Sequence, residues 1–188
     1  MSTITSVSLI KDQKIDLTKG NPGLKKIVVA GGWNPAAKEG EEFDLDLFLL
    51  QLKDGKLQPE KAVVFFNNMT APGILHHKDN RTGEGDGDDE TIDVDLSAIG
   101  CDELIVCVNI FEAVQRGGQT FGRVQDAFIR LLNAETQEEI CRFDLSEEGS
   151  QYNAFVLGRL YKKDGEWKYQ ALANGLNGDI NEVAGTYA

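Results

Sequence analysis

The stretch from Phe155 to Ala173 reads Phe-Val-Leu-Gly-Arg-Leu-Tyr-Lys-Lys-Asp-Gly-Glu-Trp-Lys-Tyr-Gln-Ala-Leu-Ala. Two apolar, aromatic-rich runs, Phe155 to Tyr161 and Trp167 to Ala173, flank Lys163-Asp164-Gly165-Glu166. Asp-Gly suits a tight hairpin turn because it tolerates positive φ, so the stretch predicts two paired strands. The same pattern recurs upstream, where Ala127 to Asn133 and Ile140 to Leu145 flank Glu135-Thr136-Gln137-Glu138. Ile92, Val94 and Leu96 alternate with Asp93, Asp95 and Ser97, the period of a half-buried strand. Further strands are predicted at Val7 to Ile10, Lys14 to Leu17, Ile27 to Ala30 ending at Gly31-Gly32, Phe43 to Leu52, Ala62 to Phe66 and Leu104 to Phe111. Helical patterning is confined to one turn near Leu96 to Gly100 and a segment after Gln119. Strands at turn-punctuated intervals, without alternating helices, predict a mainly β chain, a β-sandwich with a few short helices. No internal repeat or linker divides residues 1–188, so one domain is expected.

The formal charge is −12 over 188 residues. No basic stripe is available to neutralise phosphates, which argues against nucleic acid, and the acidity argues equally against anionic membrane surfaces. No apolar run approaches the length of a membrane span, and the N-terminus has neither a charged nor an apolar leader segment. Cys101, Cys107 and Cys141 lack CxxC spacing and are odd in number. Cys107, inside an apolar run, reads as a buried thiol, and the chain is expected to be cytoplasmic. Divalent cations and basic partners are the natural counter-species.

Between Asp79 and Asp95 eight acids stand against one arginine, a net of −7 out of the chain's −12. Carboxylates crowded to this density repel one another unless a cation intervenes. Gly83, Gly85 and Gly87 alternate with Glu84, Asp86 and Asp88, so sharp backbone turns and carbonyl oxygens accompany charged oxygen ligands. Oxygen-only donors suit Ca²⁺, Mg²⁺ or Mn²⁺. An EF-hand register fails. Begun at Asp79 it sets Glu84 at the glycine position, and begun at Asp86 it sets Thr91 there and Ser97 at the bidentate position. Any site therefore draws groups from other segments. Asp44 and Asp46 are two apart in a predicted strand and share one face, opposite Phe43, Leu45 and Leu47. Asn67 closes the run Val63-Val64-Phe65-Phe66 and offers a neutral amide oxygen. Asp93 and Asp95 read as the wet face of their own strand.

No nucleophile signature or phosphate loop appears. Asp44-x-Asp46 resembles metal-holding pairs in phosphoryl- and glycosyl-transfer sites, yet the βα alternation that the former require is missing. His76 and His77 are adjacent, so on an extended chain they face opposite ways. A non-enzymatic protein is expected. The alternatives are a calcium-dependent adhesion, scaffold or ligand-binding module, or a metal-dependent transferase.

Gly32-Trp33-Asn34-Pro35, Phe43-Asp44-Leu45-Asp46, Val64-Phe65-Phe66-Asn67-Asn68 and the run from Asp79 to Glu90 together resemble the TerD family of tellurium-resistance and stress-response proteins. Phe121-Gly122-Arg123-Val124 and Ala127-Phe128-Ile129-Arg130 resemble that family's second half. The resemblance implies two antiparallel sheets, two bound Ca²⁺ ions, a role in tellurite, phage or colicin resistance, and protein partners in a stress-response complex. It implies ligand roles for Asp44, Asp46, Asn67, Asp79, Asp86, Asp88, Asp89 and Glu90, with Asn80 and Gly83 contributing backbone carbonyls. Asn34 stands where the family usually has Asp and is not counted as a ligand. Lys78 stands where the family often has Gly.

Overall fold

The computed structural model describes residues 7–8, 10–36, 40–58, 62–77, 80–85 and 87–188. Its strands in chain order are β1 (Val7–Ser8), β2 (Lys14–Asp16), β3 (Lys26–Asn34), β4 (Leu45–Lys53), β5 (Lys56–Leu57), β6 (Val63–Val64) and β7 (Thr70–Ala71). There follow β8 (Ile74–His76), β9 (Glu90–Asp95), β10 (Glu103–Ile110), β11 (Gln125–Asn133), β12 (Glu139–Asp144), β13 (Ala154–Lys163) and β14 (Glu166–Leu176). The first sheet is ordered β1-β12-β11-β3-β9-β8-β7, and the second β2-β14-β13-β10-β4-β5 with β6 also paired to β4. Among the described residues only the short β1–β12 pairing is parallel. The expected β-sandwich is borne out.

Alternation decides what lies between the sheets. Ile27 and Val29 of β3 and Ile92 and Val94 of β9 face Leu47 and Leu49 of β4 and Val106 and Val108 of β10, all within one buried cluster. Burial of each such side chain contributes about 1.5–3 kcal/mol. A second cluster lies on the outer face of the second sheet. There Phe48, Leu50 and Leu52 of β4 and Ile105 and Cys107 of β10 pack under Val183 and Ala184 of the C-terminal helix. Among the described residues that helix comes second of two short ones: α1 is Leu145–Glu148 and α2 is Ile180–Gly185. Because α2 covers this face, β4 is buried on both sides until Lys53, and its sequence shows no solvent-facing row.

Both predicted hairpins form, β11 with β12 and β13 with β14. Asp164 and Gly165 take φ of 54° and 81° at the second turn. The β3 run does not stop at Gly31-Gly32 but continues to Asn34. A Cβ on Gly32 would lie 2.6 Å from Cζ of Phe128 on the neighbouring strand and 2.7 Å from the Gly87 carbonyl. The missing side chain therefore admits both β11 and the acidic loop, and does not end the strand. Leu145 opens α1 instead of closing a strand, because the Asp144 carboxylate accepts the Glu147 N–H and caps the turn. The turn at Leu96–Ala98 is not helical, and a single 3₁₀ turn, Phe121–Arg123, follows Gln119. Helix α2, which the apolar periodicity does not reveal, starts on a capping box formed by Asp179 and Glu182.

Candidate metal centre

The rigid wall of the site comes from β4. Asp44 immediately precedes the strand, and its carbonyl accepts the Phe111 N–H at 2.7 Å. Asp46 pairs in register with Asn109 of β10. Both carboxylates project from the outer-face side of β4, in line with Phe48, and they are only 4% and 3% exposed. A buried carboxylate is costly unless it is compensated. Arg81 brings its Nε to 3.7 Å from Asp44 Oδ2, from a side chain that is itself 68% exposed. An ion pair with so exposed a guanidinium contributes little by itself.

The loop wall is built around Trp33. Its indole is buried and donates to the Phe43 carbonyl at 3.1 Å. Gly83 packs against that ring with φ of 69°, and a Cβ there would lie 2.5 Å from the indole nitrogen. Asn80 folds the loop as an Asx turn, its Oδ1 accepting the amides of Thr82 and Gly83 at 3.2 Å each. Asn80 Nδ2 then donates to Asp89 Oδ1 at 2.7 Å, while Asp89 Oδ2 accepts the Trp33 N–H at 2.9 Å. Burial pushes the Asp89 carboxyl above the usual carboxylate range; the Trp33 amide opposes this and the Asp88 charge adds to it.

Asp88 turns toward the first sheet. Arg130 of β11 grips it with two hydrogen bonds of 2.9 Å, a bidentate pair. Glu90 points inward, and its Oε2 accepts the Leu47 N–H at 2.7 Å. Beside it the His76 ring lies between the carbonyls of Leu47, at 3.0 Å from Nε2, and His77, at 2.6 Å from Nδ1. His76 Nε2 is 3.9 Å from Glu90 Oε2. Beyond its pairing with β6, β4 turns these Leu47 groups toward the first sheet, so Glu90 and His76 stitch the two sheets together there. His77 faces the opposite way and meets Asp93 at 2.9 Å, as adjacency in a strand requires.

Of the ten predicted ligands, the fold buries Asp44 and Asp46 together and brings the loop to Asp44 through Arg81. Asn80, Gly83 and Asp89 form one connected unit on Trp33, while Asp88 and Glu90 diverge to Arg130 and Leu47. Asn67 is exposed at the tip of the Phe65–Asn68 turn. Asp79 and Asp86 lie outside the described residues. Among the described residues no three His, Cys, Asp or Glu side chains gather as a metal cluster. The two buried strand carboxylates nonetheless fit a hard divalent cation in charge and donor type. Sequence reasoning missed Arg81, Trp33 and Arg130. Arg81 carries a readable signal, being the one cation within the run of acids.

A two-sheet sandwich with an acidic loop folded onto a tryptophan and onto buried strand carboxylates defines a protein built around one charged end. The TerD domain matches residues 5–187, and the chain belongs to that family. It is 41% identical to the tellurium resistance protein TerD of Serratia marcescens over 188 residues, covering 97% of each chain. It is 41% identical to general stress protein 16U of Bacillus subtilis over 189 residues, again covering 97% of each. The fold matches the crystal structure of a homologue of the telluride resistance protein from Streptomyces coelicolor with a TM-score of 0.73 at 21% identity, covering 86% of this chain and 96% of that one. Among the described residues no helix is long and apolar enough to cross a membrane.

Proposed function

We propose that this chain is a non-enzymatic, cytoplasmic calcium-binding protein of a tellurium-resistance or stress-response system. The carrying observation is the pair of carboxylates, Asp44 and Asp46, buried to 4% and 3% exposure at the start of one strand with the acidic loop folded against them. Two calcium ions are expected, held by Asp44, Asp46 and Asn67 on the strand side and by Asp79, Asn80, Gly83, Asp86, Asp88, Asp89 and Glu90 on the loop side. Calcium bound beside these oxygens would favour the folded loop by binding it preferentially. Asp88 joins such a set only by giving up its bidentate hold on Arg130. The ordered end of the sandwich then offers a surface for a protein partner of the stress response.

Relatives of this chain are named for tellurium resistance and general stress, which supports the physiological setting. Burial supports the non-enzymatic reading. It holds the Cys107 thiol well above its ordinary range, that of Cys101 at about 11 and that of Cys141 at about 12, so these thiols are poor nucleophiles at neutral pH. Calorimetric titration of chelator-treated protein tests the proposal. Two equivalents of Ca²⁺ should bind with dissociation constants below about a millimolar, the weak end of calcium modules. Absence of binding in that range, for Ca²⁺ and Mg²⁺ alike, sinks the site. Metal-dependent turnover of phosphoryl or glycosyl donors sinks the non-enzymatic reading.

A further inference from the structure

A cleft of about 550 Å³ opens on the outer face of the second sheet, between the Phe65–Asn68 turn, the chain after β10 and the start of α2. Its volume lies within the ~300–1,000 Å³ typical of small-molecule sites. One wall is aromatic: Phe65 and Phe66 meet edge to face with centroids 5.1 Å apart, and Phe66 meets Phe111 at 6.0 Å.

The floor is polar. Asn109 lies beside Asp46 on the outer face of β10 and is 2% exposed, and its Oδ1 accepts no hydrogen bond among the described residues. A buried amide oxygen in that state costs stability unless a donor is brought to it. Asn153, on the same lining, shows the satisfied case: its Oδ1 accepts the Gly178 N–H at 2.8 Å.

The charge of the lining is one-sided. Asp46, Glu112, Asp179 and Glu182 line the cleft, and no described lysine or arginine does. Just outside it, Arg116 pairs with Glu112 at 3.7 Å and stands 5.5 Å from the Phe111 ring centroid. The chain thus already sets a guanidinium between a carboxylate and a ring of this wall.

We propose that the cleft binds an organic cation with a guanidinium or primary ammonium head, whose N–H groups donate to Asn109 Oδ1 and whose charge lies among the phenyl rings and carboxylates. Anions are repelled by the four acids. A neutral amide satisfies Asn109 but gains nothing from the charges or the ring faces, whereas a cation gains from both. Asp46 belongs to this cleft and to the candidate calcium site. Calcium and the organic cation should therefore oppose each other, each weakening the other by the same factor. That coupling alone rests on the calcium reading.

The test is calorimetric titration of the chelator-treated full chain with agmatine, with N-acetylarginine methylamide and with neutral N-butylurea. Both guanidinium probes should saturate at millimolar concentrations or below, at least about tenfold more tightly than butylurea. Tighter binding of agmatine assigns the site to a free amine, and tighter binding of the blocked arginine assigns it to a protein side chain; either outcome supports the class. Asn109→Leu removes the acceptor at similar volume, so it should weaken agmatine at least about tenfold while leaving the melting temperature unchanged or raised. Phe66→Ala, on the partly exposed turn, should weaken agmatine with Asn109 intact. No saturation by about 10 mM, equal binding of butylurea, or unchanged affinity in both variants overturns the proposal. Failure of calcium to bind leaves the agmatine result standing. Calcium binding that does not weaken agmatine removes the coupling and keeps the ligand class.

Discussion

Asp44 and Asp46 on the strand side and Asp88 and Asp89 on the loop side are the same chemical group in two different situations. The loop acids are held by donors: Asp88 by the Arg130 guanidinium, Asp89 by the Trp33 amide and the Asn80 side chain. The strand acids are more deeply buried, and Arg81, which pairs with Asp44, is largely in water. A cluster that reads as a uniform cation trap is thus divided in two. Part of it fastens the loop to the first sheet, and part lies buried on the strand side.

The largest effect should come from the strand side. Asp44→Asn with Asp46→Asn should weaken calcium at least about 100-fold, or about 2.7 kcal/mol, while leaving the melting temperature in chelator unchanged or raised. Calorimetry and thermal melts read both quantities, and retained affinity would move the site entirely to the loop. Glu90→Ala leaves the Leu47 N–H without its acceptor and opens a cavity between the sheets, so a loss of about 2–4 kcal/mol is expected in urea unfolding. A loss that small surface substitutions match would mean that the stitch between the sheets is dispensable. Gly83→Ala meets both a left-handed φ and the Trp33 indole; about 1–3 kcal/mol of destabilisation is expected, with weaker calcium binding as the loop lifts. Asp88→Asn should cost about 1–2 kcal/mol in chelator through the Arg130 pair, and should weaken calcium binding as well. Unchanged calcium affinity would take Asp88 out of the ligand set and leave it to Arg130 alone.

The smallest effect is a pH dependence. Because burial raises the Asp89 carboxyl in the folded state, the folded chain holds this proton more tightly than the unfolded one. The Asp89 contribution to stability is therefore greatest at acid pH and falls as pH rises from the ordinary carboxylate value through the raised one. Chelator-treated melts of wild type and Asp89→Asn should differ in slope across that window. Parallel curves would remove Asp89 from the charge balance of the loop.

What could be read from the chain and what could not follows the range of the interactions. The Asp164-Gly165 hairpin and the Ile92-Val94 alternation are local, and both appear as read. The passage of β3 through Gly31-Gly32 was not legible, because its cause is Phe128 and Gly87 arriving from elsewhere. Asp44, Asp46 and the acidic loop were recognisable as one charged end from residue type and spacing. Their division was not, since it depends on Arg130 from a strand about forty residues further on. Glu90 and His76 gave no hint of their part between the sheets, because the open edge they cap exists only once β4 is paired.

By itself the sequence determined the strand periods, the hairpins, the concentration of negative charge and the family to which the chain belongs. These follow from neighbours along the chain, whose spacing sets which side chains share a face. Tertiary structure alone decided which acids are buried, which are held by Arg130 and Trp33, and that a polar-floored aromatic cleft lies beside Asp46. Burial and partner choice depend on surfaces that meet only when distant strands pair.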